Sequence, residues 1–294
     1  MEIEINVNVT HPRVAPGQLS RTSRRSRAAW VVSILVAALL MPLAGASPAA
    51  AATTSLPVGN LPGWKQIMAE DFTTSVALGS FPTSSYARRF FAYTGGTDTF
   101  GHGRYDAKRV NSVSGGALDW YLHKENGQPY VSALVPVVPT TGWGQRYGRY
   151  SVRYKSDVVP GYKMAFLLWP DTNNWAEGEI DFPEVGSLES GNALYANVFP
   201  KGDIASGYPG ASVGFTTETA AADSGWHTAV IEWSPANITF ALDGTTLGTI
   251  TEGVPDTLMH LVLQVETAID APAPASDVAG HVQVDAVRVD RYTG

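Results

Sequence analysis

Three carboxylates stand within six positions in the stretch NNWAEGEIDFPEVG, residues 173–186: Glu179, Asp181 and Glu184. Acids this close can share protons, hold a cation, or work on one bond as nucleophile and acid, and which of these they do depends on where the side chains point. On a regular strand side chains alternate between faces, so Glu179 and Asp181 lie together and Glu184 lies opposite. Pro183 argues against a regular strand, because proline cannot donate to the ladder and is confined to edges and bulges. A bulge at Phe182-Pro183 inserts one residue and returns Glu184 to the face of the other two. Four strand steps then set the Glu179 and Glu184 α-carbons about 13 Å apart. From there, glutamates leaning together reach the separation of about 5 to 5.5 Å at which one carboxylate attacks an anomeric carbon and the other protonates the leaving oxygen.

A row of acids on a strand is also what a solvated face or a calcium site looks like. The surroundings favour chemistry on a sugar. The acids stand among Trp169, Trp175 and Phe182, the preceding segment KMAFLLWP is almost wholly apolar, and aromatic walls beside carboxylates suit the apolar faces of pyranose rings. Three neighbouring acids titrate as a coupled set, and their repulsion keeps one carboxyl protonated.

The elements that must position these residues read as strands. From Leu61 onward short alternating runs rich in Val, Tyr, Thr and Trp recur between Gly, Pro, Asn and Asp, with no long run of helical periodicity. Residues 148–156 (GRYSVRYKS), 227–234 (HTAVIEWS), 260–269 (HLVLQVETAI) and 281–292 (HVQVDAVRVDRY) are expected strands, and Asp243-Gly244 marks a hairpin turn. The Ala/Pro-rich stretch around 270–280 reads as a surface loop. There is no internal repeat, and residues 61–294 form one all-β domain, an antiparallel sandwich or barrel.

Ahead of it, Arg21, Arg24, Arg25 and Arg27 precede the apolar run Ala28–Ala44 and a small-residue stretch, the pattern of a secretory signal peptide cleaved after Ala52. Residues 1–52 are therefore expected to be an extension and leader that is removed, residues 53–60 a short linker, and the product secreted to the extracellular space without stable membrane association. Setting aside residues 1–52 removes five arginines and two glutamates and changes the net charge from −7 to −10. That balance opposes a nucleic-acid partner, which needs a basic face, and fits a neutral substrate. With no cysteine, disulfides, thiolate zinc sites and cysteine nucleophiles are excluded.

EIDFPE resembles the catalytic pattern E-x-D-x-x-E of glycoside hydrolase family 16 in its bulged, laminarinase-like form. GWKQIMAEDF, YGRYSVRYKSDVVPGYKMAFLLWP, GWHTAVIEWSPANITFALDG and VQVDAVRVDRY follow the family's order from about Leu61 to Tyr292. The resemblance implies a two-sheet β-jelly roll of the concanavalin A-like kind with an open concave groove. It implies a monomeric endo-acting retaining β-glycanase with Glu179 as nucleophile, Asp181 as assisting residue and Glu184 as acid/base. It further implies Trp175 as a sugar platform, Trp169 as a second platform or a core residue, and Asn197 and Gln264 as groove residues. Asn197 stands in a segment where the family often has His. His227 is expected to be structural. No cofactor is required, and a structural calcium on the convex face would use Asp285. β-1,3-Glucan is the first substrate expected; β-1,3-1,4-glucan, galactan, transglycosylation and a non-catalytic lectin are the alternatives.

Overall fold

The computed structural model describes residues 56–139, 141–220 and 225–294. The expected leader and the start of the linker lie outside the described residues. Seventeen strands occur among the described residues: β1 (Trp64–Glu70), β2 (Phe90–Ala92), β3 (Thr94–Thr97), β4 (Arg104–Asp106), β5 (Asn111–Ser114), β6 (Ala117–Glu125), β7 (Gln128–Pro136), β8 (Gly148–Ser156), β9 (Tyr162–Pro170), β10 (Glu179–Val185), β11 (Ala193–Phe199), β12 (Val213–Ala220), β13 (His227–Trp233), β14 (Ile238–Leu242), β15 (Thr245–Ile250), β16 (Met259–Thr267) and β17 (Gly280–Tyr292).

They make a two-sheet antiparallel sandwich of the jelly-roll kind. One sheet runs β15-β14-β13-β8-β17, with β6 and β1 sharing the far edge of β17 and β5 beyond β6. The other runs β2-β7-β16-β9-β10-β11-β12. The β6–β7 hairpin links the two sheets, and β4 adds a two-residue parallel pairing to β7. The four strands and the hairpin expected from alternation are all present, with ends within two residues. Asp243 and Gly244 at the β14–β15 turn have φ of 51° and 81°, the double positive φ that a two-residue hairpin of matching twist requires.

Aromatic side chains meet across the layers: Trp120 of β6 lies 6.1 Å from Phe166 of β9, Tyr154 of β8 lies 5.7 Å from Phe166, and Phe240 of β14 lies 5.6 Å from Phe182 of β10. These residues are essentially inaccessible and anchor a core that dominates the burial energy of the domain. The period-2 rule explains why β9 is buried along its whole length. Met164, Phe166 and Leu168 face the core, whereas Lys163, Ala165, Leu167 and Trp169 face the outer side, where other structure covers them.

β10 starts after a one-turn helix, Trp175–Glu177, whose first turn is capped by the Asn174 side chain accepting from the Ala176 amide. Gly178 then reverses the chain at φ 108°, where a Cβ would stand 2.9 Å from both the Phe199 carbonyl oxygen and Pro255 Cγ. Gly178→Ala therefore meets backbone strain and a steric clash at once. It is expected to cost about 1–3 kcal/mol in chemical denaturation and to reduce activity by displacing Glu179; unchanged stability would refute this reading of the turn.

Candidate active site

The β10 register carries the decisive feature. Asp181 pairs with Asn197 on one side and Leu167 on the other, and Glu184 pairs with Tyr195 and Ala165. Three steps on β10 thus match two on each neighbour, which is the bulge expected at Phe182-Pro183, a peptide bond that is cis. The extra residue keeps Glu184 in phase with Asp181, and the inward face is left to Ile180, Phe182 and Val185.

The three acids consequently share one face. Glu179 is 6% and Asp181 3% exposed, and Glu184 is half-buried. Trp175 Nε1 donates to Glu179 Oε2 at 2.6 Å, and Asn197 Nδ2 donates to Glu184 Oε2 at 3.0 Å. The half-buried Trp175 ring packs 5.6 Å from Phe199 and 6.3 Å from Tyr208. Burial first, and the charge of Glu184 second, push the Glu179 carboxyl up to about 7, while the Trp175 indole and the hydrogen bond from Asp181 pull the other way. Asp181 is held well above the ordinary carboxylate range by burial and by Glu179. The pair therefore works as a unit in which Asp181 keeps a proton and donates it to the carboxylate of Glu179.

A second charged group underlies the same face. Lys163 and Glu266 are cross-strand neighbours on β9 and β16, with Nζ 3.2 Å from Oε2 and both side chains almost completely buried. Burial draws the ammonium down, but the carboxylates of Glu266 and Glu184 outweigh it and keep it charged. Burial would raise Glu266, yet Lys163 and the donated hydrogen bonds hold it below its ordinary value. Those bonds come from the Thr99 amide and hydroxyl, the Tyr105 hydroxyl and the Gln264 amide. Phe100 places its ring 5.6 Å from Lys163 Nζ. Glu266 thus ties the 98–103 loop and β4 to the face bearing the carboxylate row. Sequence reading missed this hub; the signal was a lysine in the apolar strand β9 and a glutamate on β16, each at a groove-facing position.

Trp175 and Asn197, both expected at the site, touch its carboxylates. Gln264 lies on the same face but two strands away, where it donates to Tyr105 Oη and Glu266. Trp169 lies on the face of the acids but is only 5% exposed, covered by its neighbours, so it serves packing and offers no open ring face to a sugar. His227 pairs with Asp243 at 2.7 Å beside the hairpin, away from β10. At the expected calcium position, Asp285 Oδ2 accepts from Arg153, which sets a cation beside the carboxylate. Among the described residues, no group of three or more His, Asp or Glu side chains could hold a metal ion.

An antiparallel jelly roll with an aromatic-flanked carboxylate row on its outer face defines a carbohydrate-active protein. The sequence model of Glycosyl hydrolases family 16 matches residues 137–278, which include β10 and the strands on both sides of it. Together with the fold, that match makes the chain a glycoside hydrolase similar to members of family 16. Solved structures agree on the fold. SCLam, a non-specific endo-β-1,3(4)-glucanase of family 16, is similar with TM-score 0.64 and 18% identity over 81% of this chain and 95% of its own. LamAcat from Zobellia galactanivorans is similar with TM-score 0.61 and 16% identity over 78% and 97%. The catalytic domain of an endo-1,3-β-glucanase (laminarinase) from Thermotoga petrophila is similar with TM-score 0.59 and 18% identity over 79% and 99%. No curated protein matches.

Two outcomes follow from these electrostatics. Because the folded-state value of Glu179 lies above its ordinary 4.5, ionising it opposes folding. The cost is absent below the ordinary value, grows as pH rises toward 7, and is complete above it. Glu179→Gln is expected to raise the melting temperature by a few degrees at about pH 8 and to leave it unchanged near pH 4; a lower melting temperature at the higher pH would contradict the assignment. Lys163→Met strands a buried carboxylate and is expected to cost about 3–5 kcal/mol, whereas Lys163→Met/Glu266→Met costs much less. A double-mutant cycle by urea denaturation measures the difference, and equal losses would remove the pair from its role.

Proposed function

We propose that the protein is a secreted, retaining, endo-acting β-glycanase whose preferred substrate is a β-1,3-linked glucan. The observation that carries this reading is the bulge-enforced alignment of Glu179, Asp181 and Glu184 on one face, each terminal acid held by a named donor. In the proposed reaction Glu179 attacks the anomeric carbon while the bond to the leaving oxygen breaks and Glu184 gives that oxygen its proton. Glu184 then takes a proton from water as the water displaces Glu179. Asp181 keeps Glu179 anionic by donating to it, and the Asn197 amide fixes Glu184 for both of its steps.

The placement also suggests how the substrate lies. Two acids spaced along one strand flank a single bond only if the glycan crosses the strands between them. A groove crossing a sheet is open at both ends, which suits cleavage within a chain. The β-1,3 preference is supported by the bulged motif and by the two relatives described as endo-β-1,3(4)-glucanase and endo-1,3-β-glucanase. Secretion is supported by the basic, then apolar, then small-residue order of residues 21–52, and the acidic balance is compatible with a neutral polysaccharide and a monomer.

Reducing-sugar release from laminarin, lichenan, agarose and xyloglucan tests the reading. Wild type is expected to act best on laminarin, with Glu179→Gln and Glu184→Gln each losing at least about a thousandfold in kcat/KM. Binding without turnover by the wild type would leave a lectin, and turnover surviving Glu179→Gln would remove the nucleophile.

A further inference from the structure

A retaining cleavage moves a charge along β10. Before it the negative charge is on Glu179. Once that carboxylate has bonded to the anomeric carbon and Glu184 has given its proton to the leaving oxygen, the charge is on Glu184. The two acids have different surroundings across β9. Ile180 pairs with Leu168, so Glu179 stands at the Trp169 end of that strand, whereas Glu184 pairs with Ala165. Lys163 shares the face of Ala165, about 7 Å farther along the strand, and lies about 20 Å from the Trp169 position. A charge passing from Glu179 to Glu184 therefore moves toward Lys163.

The ammonium is fixed where it stands. Its Nζ lies 3.2 Å from Glu266 Oε2, its side chain is 7% exposed, and the Phe100 ring covers it at 5.6 Å. The Phe100 loop is tied to the pair, because the Thr99 amide and hydroxyl donate to Glu266 and the Asp98 carboxylate accepts from the Thr267 amide and hydroxyl on β16. β9 lies between β10 and β16, so the pair presents its positive end to Glu184 and its negative end away from it. Among the carboxylates that keep Lys163 charged against its burial, Glu266 comes first, Glu184 next and Asp181 last. Lys163 reaches Glu179 only behind burial, Glu184, Trp175 and Asp181. At the opposite end of β9, His260 of β16 is matched by Asp171 at 2.8 Å and stands 6.5 Å from the Trp143 ring, itself edge-on to Phe91.

We propose that Lys163 is a positioning residue of the cleavage reaction: held by Glu266 and sealed by Phe100, its ammonium stabilises the carboxylate that Glu184 becomes as it protonates the leaving oxygen. The attraction strengthens as the proton leaves, which is the condition for accelerating a step instead of only binding its substrate. Exclusion of water keeps that attraction from being screened, and Glu266 supplies the partner without which a buried ammonium gives up its proton. An ion pair with a merely structural job is indifferent to how much proton transfer the leaving group needs. The inference rests on the glycanase reading and adds how its acid is assisted.

The test uses two aryl glycosides of one β-1,3-linked glucose trimer, with phenyl and 2,4-dinitrophenyl leaving groups, each assayed at the pH optimum of the variant. The sugar contacts are the same, but only the phenyl leaving group needs the proton of Glu184 to depart. Lys163→Met/Glu266→Met removes both charges together. It is expected to lower kcat/KM about tenfold for the phenyl glycoside and to leave the dinitrophenyl glycoside within about twofold. Phe100→Ala keeps both charges but admits water to the ammonium, and should lower the phenyl value alone by about threefold. Equal losses on the two glycosides mark a structural role and overturn the proposal, as does the absence of any loss. If the double variant does not fold, Phe100→Ala decides by the same criterion. In each of these cases wild-type turnover leaves the glycanase reading intact, whereas a wild type that cleaves neither glycoside nor laminarin removes that reading and this inference with it.

Discussion

Everything at the site depends on one residue too many. Between Asp181 and Glu184 the chain takes three steps where β9 and β11 take two, and because side chains alternate strictly, that single insertion decides which layer Glu184 enters. Without it a carboxylate would enter the core among Phe182, Ile180 and Phe240, and Val185 would face the groove. The core packing of the next residues and the chemistry of the preceding ones are thus set by the same bulge. Neither could be relaxed without the other.

Bringing three acids to one face creates an electrostatic problem that the surroundings resolve by sharing protons and supplying a cation. Asp181 stays neutral and donates a hydrogen bond to Glu179, the Trp175 indole donates a second, and Lys163 sets a positive charge beneath the row. A buried lysine would normally give up its proton. Here Glu266 keeps it charged, and Glu266 is in turn satisfied by donors from the 98–103 loop, Tyr105 and Gln264. A buried ion pair of this kind seldom stabilises a fold compared with well-packed apolar residues, so its location under a carboxylate row points to a positioning role.

Much of this was legible in the sequence. The strands β8, β13, β16 and β17 and the Asp243-Gly244 turn follow from alternation and turn chemistry, which are local properties. The bulge was legible because proline in a strand rich in chemistry had no other purpose. What was not legible depended on distant pairing. Lys163 reads as an interruption in an apolar run until Glu266, a hundred residues later, appears opposite it. Trp169 shares the face of the acids, which alternation predicts, yet lies covered, because exposure depends on what packs over the face. Asp285 on a terminal strand reads as an isolated acid, and only the register that places Arg153 on the neighbouring strand β8 shows the cation beside it.

The off-centre position of β10 divides the work along the groove. Polar machinery is concentrated where charge must develop: buried acids, an indole donor, an amide and a lysine within one or two strands. Farther along the longer side the lining becomes aromatic, with one imidazole–carboxylate pair. Interactions at that distance cannot change between ground state and transition state at the cleaved bond, so they add uniform binding and no direct acceleration.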